Sequence, residues 1–147
     1  MHPSPANPVT GIVFRTVRSW EREVASILLA DSGLPPSTDR GPDGTVLFGL
    51  WDLAASNAEA LVGVAATRPL DDGRAAKLCG IAVRASLRRR GLGRRLLAEV
   101  ADALRADGAE RLLARPADAQ GPAAALLARA GFAATTDGEV GWLYLEL

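Results

Sequence analysis

The sequence predicts one α/β domain built on a mixed β-sheet, and three observations carry this prediction. The chain has 147 residues, which is enough for one compact domain and too few for a second. Three β-rich segments with turn signals between them follow one another near its centre, as in an antiparallel meander. A long amphipathic helix then leads from the third of these segments to a short apolar one, which predicts a parallel βαβ unit.

Composition restricts the class of protein further. Hydrophobic residues make up 48% and charged residues 23%, so the chain can bury a core. The 17 basic and 17 acidic side chains cancel, which removes the global attraction of nucleic acids or anionic membranes. We expect a cytoplasmic protein without membrane spans, because no apolar segment reaches about 18 residues. Residues 1–10 are expected to be a frayed tail, not a secretory signal, ahead of a single domain over residues 11–147.

The first elements are a strand, a helix and a loop. Alternating branched residues predict a strand over Gly11–Arg18, and Ser19 can cap a helix that Gly33 ends. Prolines and glycines predict a loop over Leu34–Gly44 that is free to shape a specificity pocket. The spacing of apolar residues predicts the buried face of the helix, which consists of Trp20, Val24, Ile27 and Leu28.

The three segments of the meander come next. The turn signal Asp71-Asp72-Gly73 separates the second from the third. The predicted strands are Thr45–Trp51, Ala60–Thr67 and Lys77–Val83.

The second half of the chain continues the sheet. An apolar stripe from Leu92 to Leu104 predicts a helix that ends at Gly108, and Arg111–Arg115 is a buried strand parallel to the one before the helix. Pro122 begins a further helix, with Leu126 and Leu127 facing inward. This helix ends at Gly131-Phe132, and two strands follow around a turn at Asp137-Gly138, the last being Val140–Leu147.

One segment has the composition of an anion site. Gly91 and Gly93 stand where the long helix begins, and helix N-termini attract anions through free amides and the helix dipole. The cluster of arginines around them, Arg88, Arg89, Arg90 and Arg94, adds charge-assisted donors for a diphosphate. The alternative interpretation is a glycine turn flanked by solvated arginines. The segment is neither a Walker loop nor a dinucleotide fingerprint, which disfavours ATP and NAD.

The same segment resembles a known family. Leu78-Cys79-Gly80-Ile81-Ala82-Val83, followed by Arg88-x-x-Gly91-x-Gly93 and an amphipathic helix, looks like the acyl-CoA-binding signature of the GNAT superfamily of N-acyltransferases. The order of elements before and after this signature is also similar to that of the family. The resemblance implies a mostly antiparallel sheet of about seven strands, with diverging parallel strands four and five, flanked by three to four helices.

The resemblance also implies a co-substrate, acetyl-CoA, and direct transfer of its acetyl group to an amine without a covalent enzyme intermediate. The pantetheine arm would pair with the fourth strand, and the diphosphate would lie on the amides that begin the following helix. The residues implied to bind the cofactor are Ile81, Ala82, Val83, Arg88, Arg89, Arg90, Gly91, Leu92, Gly93 and Arg94. A metal cofactor is not expected, and the single cysteine, Cys79, excludes zinc sites built on paired cysteines.

Catalytic residues are harder to assign, because the sequence departs from the family. Leu127 stands where the family often has a tyrosine that protonates the leaving thiolate, Lys77 where some members have a glutamate, and Gln120 where asparagine is common. The remaining candidates for a base or acid are Asp71, Asp72, Asp137, Glu139 and Tyr144. Each also has a structural interpretation as a turn former, a solvated charge or a packing residue.

The function that follows is N-acetylation of a small-molecule or N-terminal amine. A low-pKa amine is the expected acceptor, because an α-amine near pKa 7.8 is partly neutral at pH 7.5, whereas a lysine amine near 10.4 needs roughly 4 kcal/mol to lose its proton. A CoA-sensing domain without catalysis is the main alternative. An RNA-binding patch is disfavoured by the scarcity of aromatic residues. An exposed last strand is expected to allow pairing with a second copy.

Overall fold

The computed structural model describes residues 11–30, 46–54, 60–84, 91–116, 121–134 and 142–147. Over these ranges seven strands form one sheet, against which three α-helices pack. The strands are β1 (Ile12–Thr16), β2 (Val46–Asp52), β3 (Leu61–Leu70), β4 (Ala75–Val83), β5 (Arg111–Ala114), β6 (Ala133–Ala134) and β7 (Leu143–Glu146). The helices are α1 (Arg22–Leu29), α2 (Leu92–Ala106) and α3 (Pro122–Arg129).

The strand order is β1-β2-β3-β4-β5-β7-β6, and every pair is antiparallel except β4 and β5. The predicted meander and the parallel βαβ unit are therefore confirmed, with α2 as the crossover helix. The expectation of an exposed last strand is wrong. The last strand, β7, lies between β5 and β6, and the edges of the described sheet are β1 and β6.

The two faces of the sheet carry separate apolar clusters. One face, here called the α2 face, packs against α2 and α3, and its cluster includes Leu78, Leu97, Leu112 and Leu127, all at most 1% exposed. The other, here called the α1 face, packs against α1 and includes Cys79, Val64, Trp51 and Ala25. Burial of these apolar side chains on both faces is the main source of stability.

The crossover helix is fixed at several points along its length. Leu92, Leu96 and Val100 are buried at helical spacing, as the apolar stripe predicts. Arg95 Nη2 donates a hydrogen bond of 2.8 Å to the carbonyl oxygen of Ile12, which ties α2 to β1. Gly108, with φ of +97°, follows the last turn, where glycine adopts the left-handed conformation at low cost.

The predicted face of the first helix is partly wrong. Residues 19–21 form a 3₁₀ turn before α1 begins, so Trp20 is rotated away from the helix stripe and is 74% exposed. Ile27 is 69% exposed, because the helix buries Ala25 together with Val24 and Leu28. Gly33, the predicted end of the helix, and the predicted loop over 34–44 lie outside the described residues.

The turn between β3 and β4 is tighter than the sequence indicates. β3 continues to Leu70 and β4 begins at Ala75, and these two residues pair directly across a 3₁₀ turn over Asp71–Gly73. Asp72 there has φ of +56°, a conformation that aspartate tolerates better than most residues. Within the part of the chain that is described, no helix is both long and apolar enough to cross a bilayer.

Candidate functional site

The parallel pair β4 and β5 separates part of the way along β4. Register pairs run from Ala75 with Arg111 to Leu78 with Ala114, where β5 ends. β4 continues to Val83, paired on its other side with β3. We call the point beyond Leu78 and Ala114 the fork. It leaves the β5 side of Cys79–Val83 without a neighbouring strand among the described residues.

A β-bulge coincides with the fork. Ala66 pairs with Gly80 and Thr67 with Leu78, so β4 contains one extra residue, Cys79. Bulges of this kind bend a strand and re-aim its groups, and they are common next to active sites. The thiol of Cys79 is 7% exposed, and its Sγ lies 3.7 Å from the carbonyl oxygen of Lys77.

The Cys79 thiol is a poor nucleophile. Burial raises the pKa of Cys79, and the positive charges of Lys77 and Arg68 oppose this effect only in part. The thiol therefore stays protonated near neutral pH, whereas nucleophilic cysteines are exposed thiolates. Cys79 therefore serves the packing of the α1-face cluster.

Backbone direction decides which residues of β4 face the fork. The amide of Arg84 donates to the carbonyl oxygen of Val62 at 2.8 Å, and successive residues of a strand direct their backbone groups to opposite sides. Ile81 and Val83 therefore direct theirs away from β3, towards the fork. Ala82 directs its backbone groups to β3, and its role as a cofactor-binding residue stays a prediction.

The two positions at the start of α2 that hold glycine favour it for different structural reasons. Gly91 is the N-cap residue with φ of +76°, and nothing lies within 4 Å of where its Cβ would be. Gly93 is helical, and an added Cβ would lie 3.1 Å from the methyl carbons of Leu126 on α3. Its missing side chain allows the two helices to approach closely. Only Gly91 has the open space that a phosphate requires.

The first turn of α2 is electropositive. Its N-cap makes no side-chain hydrogen bond, and no acidic residue lies in the first turn. Arg94 is exposed there, and the Leu92 side chain is buried in the core. Of the predicted arginine cluster, residues 88–90 lie outside the described part of the chain.

A row of side chains crosses the α1 face beside the fork. Lys77, Leu113 and Tyr144 are register partners on β4, β5 and β7, and each is partly exposed. Trp142 joins this row, with its ring centroid 5.5 Å from Lys77 Nζ. Arg68 is the partner of Lys77 on β3. We call Lys77, Leu113, Tyr144 and Trp142 the β4–β7 row.

An open groove of about 290 Å³ borders this row at the end away from the fork. Arg111 donates to Glu146 Oε1 at 2.9 Å within the groove, and its guanidinium lies 5.1 Å from the Tyr144 ring. The charges of this ion pair therefore balance each other. The groove is lined by Arg74, Ala75, Glu110, Arg111, Leu113 and Glu146.

The candidate catalytic residues fall into three groups. Tyr144 lies in the β4–β7 row, on the face that the fork opens onto. Asp71 and Asp72 occupy the turn before β4, about 13 Å or more from the fork at about 3.3 Å per strand residue, so the structure does not bring them to it. Asp137, Glu139 and Gln120 lie outside the described residues.

Leu127 has no access to a leaving group. Its side chain is 0% exposed in the core under α3. The position therefore serves packing in this chain.

Sequence reasoning missed the cluster around Lys77. Arg68 and Trp142 were not candidates, because their approach to Lys77 depends on strand order, which a sequence does not show. One signal was available: Lys77 is the only lysine among the 17 basic residues.

Comparisons with known proteins agree with this architecture. The sequence pattern of the acetyltransferase (GNAT) family matches residues 14–132. No curated protein sequence matches the chain significantly.

Three solved structures illustrate the shared fold. An N-acetyltransferase of this family from Escherichia coli in complex with CoA has a TM-score of 0.71 at 20% identity, covering 99% of this chain and 85% of its own. A Bacillus subtilis acetyltransferase in complex with CoA has 0.70 at 18%, covering 92% and 99%. The ribosomal-protein-S18-alanine N-acetyltransferase from Escherichia coli has 0.64 at 22%, covering 92% of each chain.

Proposed function

Because the chain belongs to the acetyltransferase (GNAT) family, we propose that it transfers an acetyl group from acetyl-CoA directly to the primary amine of a small molecule or a peptide N-terminus. The observation that carries this proposal is the fork, where β4 continues beyond the end of β5 beside an electropositive helix N-terminus. The solved neighbours in complex with CoA support a CoA-type co-substrate.

The residues of the fork fit a pantetheine arm. Amide and carbonyl groups of Ile81 and Val83 face the side on which β5 has ended, which is the side where we propose that the pantetheine arm lies. The bulge at Cys79 re-aims the backbone at the point where the thioester would lie. A backbone amide at that point would polarise the thioester carbonyl.

The start of α2 fits a diphosphate. The amides of the first helical turn have no partner four residues earlier within the helix, and the helix dipole favours an anion at this end. Gly91 lets phosphate oxygens approach the backbone, because it has no Cβ and tolerates φ of +76°. Arg94 adds an exposed cation in the same turn.

Acetyl-CoA supplies an activated acyl group whose thiolate, with a pKa of about 8.5, leaves readily near neutral pH. The chain has to admit a neutral amine and orient it on the carbonyl carbon. The C–N bond then forms as the C–S bond breaks, and the proton of the attacking nitrogen passes to solvent, a protein group or the thiolate. Because Leu127 is apolar, the Tyr144 hydroxyl on the open face is a described group that can take the place of the missing acid.

A CoA sensor without catalysis is the second candidate. Leu127 and Lys77, which replace a family acid and a family base, favour it. Loss of a general acid typically costs only about 10²- to 10⁴-fold in rate, so these replacements slow catalysis without abolishing it. Turnover with an α-amine acceptor separates the two candidates.

The test compares two matched glycine variants. Gly91 and Gly108 both have positive φ and open space around the missing Cβ, at opposite ends of α2. Gly91→Ala and Gly108→Ala are each expected to lower the free energy of unfolding by about 1 kcal/mol through backbone strain. Only Gly91→Ala is expected to weaken CoA binding, by about tenfold or 1.4 kcal/mol.

The measurements are titration calorimetry with CoA and detection of free CoA from acetyl-CoA in the presence of amines. A peptide with a free N-terminal alanine supplies the α-amine probe. A peptide with a blocked N-terminus and a free lysine side chain supplies the ε-amine probe. We expect faster release with the α-amine. Equal loss of CoA affinity in both glycine variants would contradict the assigned diphosphate site, and CoA binding without release would favour the sensor.

A further inference from the structure

The acceptor can reach the fork from only one face of the described sheet. On the α2 face the side chains of Leu78, Leu112 and Ala114 are at most 1% exposed beneath α2 and α3. On the α1 face the neighbouring residues Lys77, Leu113 and Tyr144 are partly exposed. The β4–β7 row is therefore the partly exposed surface of the described sheet that adjoins the fork.

The cation in this row has an aromatic ring as a described neighbour. Lys77 Nζ lies over the Trp142 ring at 5.5 Å, and no described carboxylate lies within 4 Å of it. By contrast, Arg15 on β1 and Arg111 on β5 each donate to a glutamate, at 2.8 and 2.9 Å. An ammonium in contact with an aromatic ring keeps its donors for an anion, because the ring does not neutralise its charge.

The surroundings add positive potential. Arg68 stands directly opposite Lys77 on β3, and like charges at such positions destabilise a sheet. Both charges act on the Cys79 thiol at the bulge, where they oppose the effect of burial on its pKa. The positive field therefore extends from Lys77 to the fork.

We propose that the acceptor is a primary amine that carries a carboxylate, and that Lys77 and Trp142 bind this carboxylate while the amine lies at the fork. Lys77 is two residues before Cys79, about 7 Å along the strand, so one small molecule can span both points. The Trp142 ring holds the ammonium in place and covers the apolar part of the acceptor. The inference rests on the proposed function and names the substrate class of that site.

The first experiment measures turnover of matched acceptor pairs. Each pair is an amino acid or dipeptide and the same molecule with its carboxylates replaced by carboxamides. We expect kcat/KM to be at least about tenfold higher for the carboxylates, as for a charge-assisted hydrogen bond. Lys77→Met is expected to remove this preference mainly through KM, and Lys77→Arg to keep part of it.

A control variant removes one cation from a distant surface. Arg105→Met eliminates an exposed charge near the end of α2, where Arg105 pairs with Asp102. Its preference for carboxylates is expected to match that of the unaltered chain. An equal loss in both variants would indicate an effect of net charge and overturn the subsite.

A second experiment detects binding without turnover. Lys77 is the only lysine, so reductive methylation with ¹³C-formaldehyde labels this side chain and the chain's α-amine while keeping their charges. In the presence of CoA, the dimethyl-Lys77 NMR signal is expected to shift on addition of N-acetylated carboxylate products and not of their amides. Lys77→Met identifies the signal.

The outcomes separate the two proposals. Equal turnover of carboxylates and amides, unchanged in Lys77→Met, would overturn the carboxylate subsite and leave acetyl transfer intact. Failure to acetylate any amine would overturn the proposed function. In that case, a selective shift of the Lys77 signal would still support the subsite, and its absence would overturn that inference too.

Discussion

The two faces of the sheet differ at adjacent residues of the same strands. Along β4 and β5, Leu78 and Leu112 are at most 1% exposed on the α2 face, whereas Lys77 and Leu113 are partly exposed on the α1 face. The difference shows how a small domain divides its tasks. Both faces bury an apolar cluster, and the α1 face also holds a partly exposed cation beside the fork.

The α1 face is held near β1 by polar contacts. Arg15 donates to both carboxylate oxygens of Glu21 at 2.8 Å, and its guanidinium lies 3.7 Å from the centroid of the Trp51 ring. Glu21 also accepts from the amide of Arg18 at 2.9 Å. These contacts fix the turn that precedes α1. Acid is therefore expected to affect this face more than the apolar one.

The largest effect is expected from truncation on the α2 face. Leu112→Ala should lower the free energy of unfolding by about 3 kcal/mol, because it leaves a cavity in a close-packed cluster. Leu113→Ala, on the next residue, should cost about 1 kcal/mol, because its side chain is only partly buried. Urea denaturation followed by circular dichroism measures both. Similar costs for the two variants would contradict the division between the faces.

A smaller effect is expected at Glu21, and it depends on pH. The hydrogen bond from Arg15 is the main cause that lowers the pKa of Glu21 from 4.5 to about 2. A carboxylate with a lowered pKa stabilises the fold above about pH 4.5, and this stabilisation is lost as the pH falls towards 2. Glu21→Gln should cost about 1.5 kcal/mol at pH 7 and much less at pH 2.5.

The control for this prediction is an exposed pair. Asp102→Asn removes the partner of Arg105, and both side chains are more than half exposed. Its cost should stay below about 0.5 kcal/mol at every pH. Denaturation of the three proteins at pH 7, 4 and 2.5 gives the comparison. A pH-independent cost in Glu21→Gln would show that its role is packing alone.

Patterns with a local physical cause predicted much of the fold. The meander, α2 and the βαβ unit follow from periodicity and turn residues. Gly91 was singled out as part of an anion site at the start of α2, and its φ of +76° is a conformation that favours glycine. Gly93 was also predicted to belong to the anion site, because a residue without a side chain lets a phosphate approach the backbone. In the structure, Gly93 is required for a different reason: a side chain there would crowd Leu126 on α3. No local sequence pattern shows this contact between two helices.

Features that depend on strand order could not be predicted. The β4–β7 row exists because β7 pairs with β5, so Trp142 reaches Lys77 across 65 residues of chain. Asp72 had the chemistry of a base, but the hairpin places it at the wrong end of β4. The sequence shows the chemical type of each residue. A site also depends on the distances between residues, which the tertiary structure sets.

The smallest effect is expected where the sequence pattern misled. Ile27 and Leu28 are adjacent in α1, but Ile27 is 69% exposed and Leu28 packs against the α1-face cluster. Ile27→Ala should change the free energy of unfolding by less than about 0.5 kcal/mol, because alanine favours helix and little burial is lost. Leu28→Ala should cost about 1–2 kcal/mol. If thermal and urea unfolding instead gave both variants the same loss, Ile27 would have to be covered in solution, and the α1 face would be less open than the geometry shows.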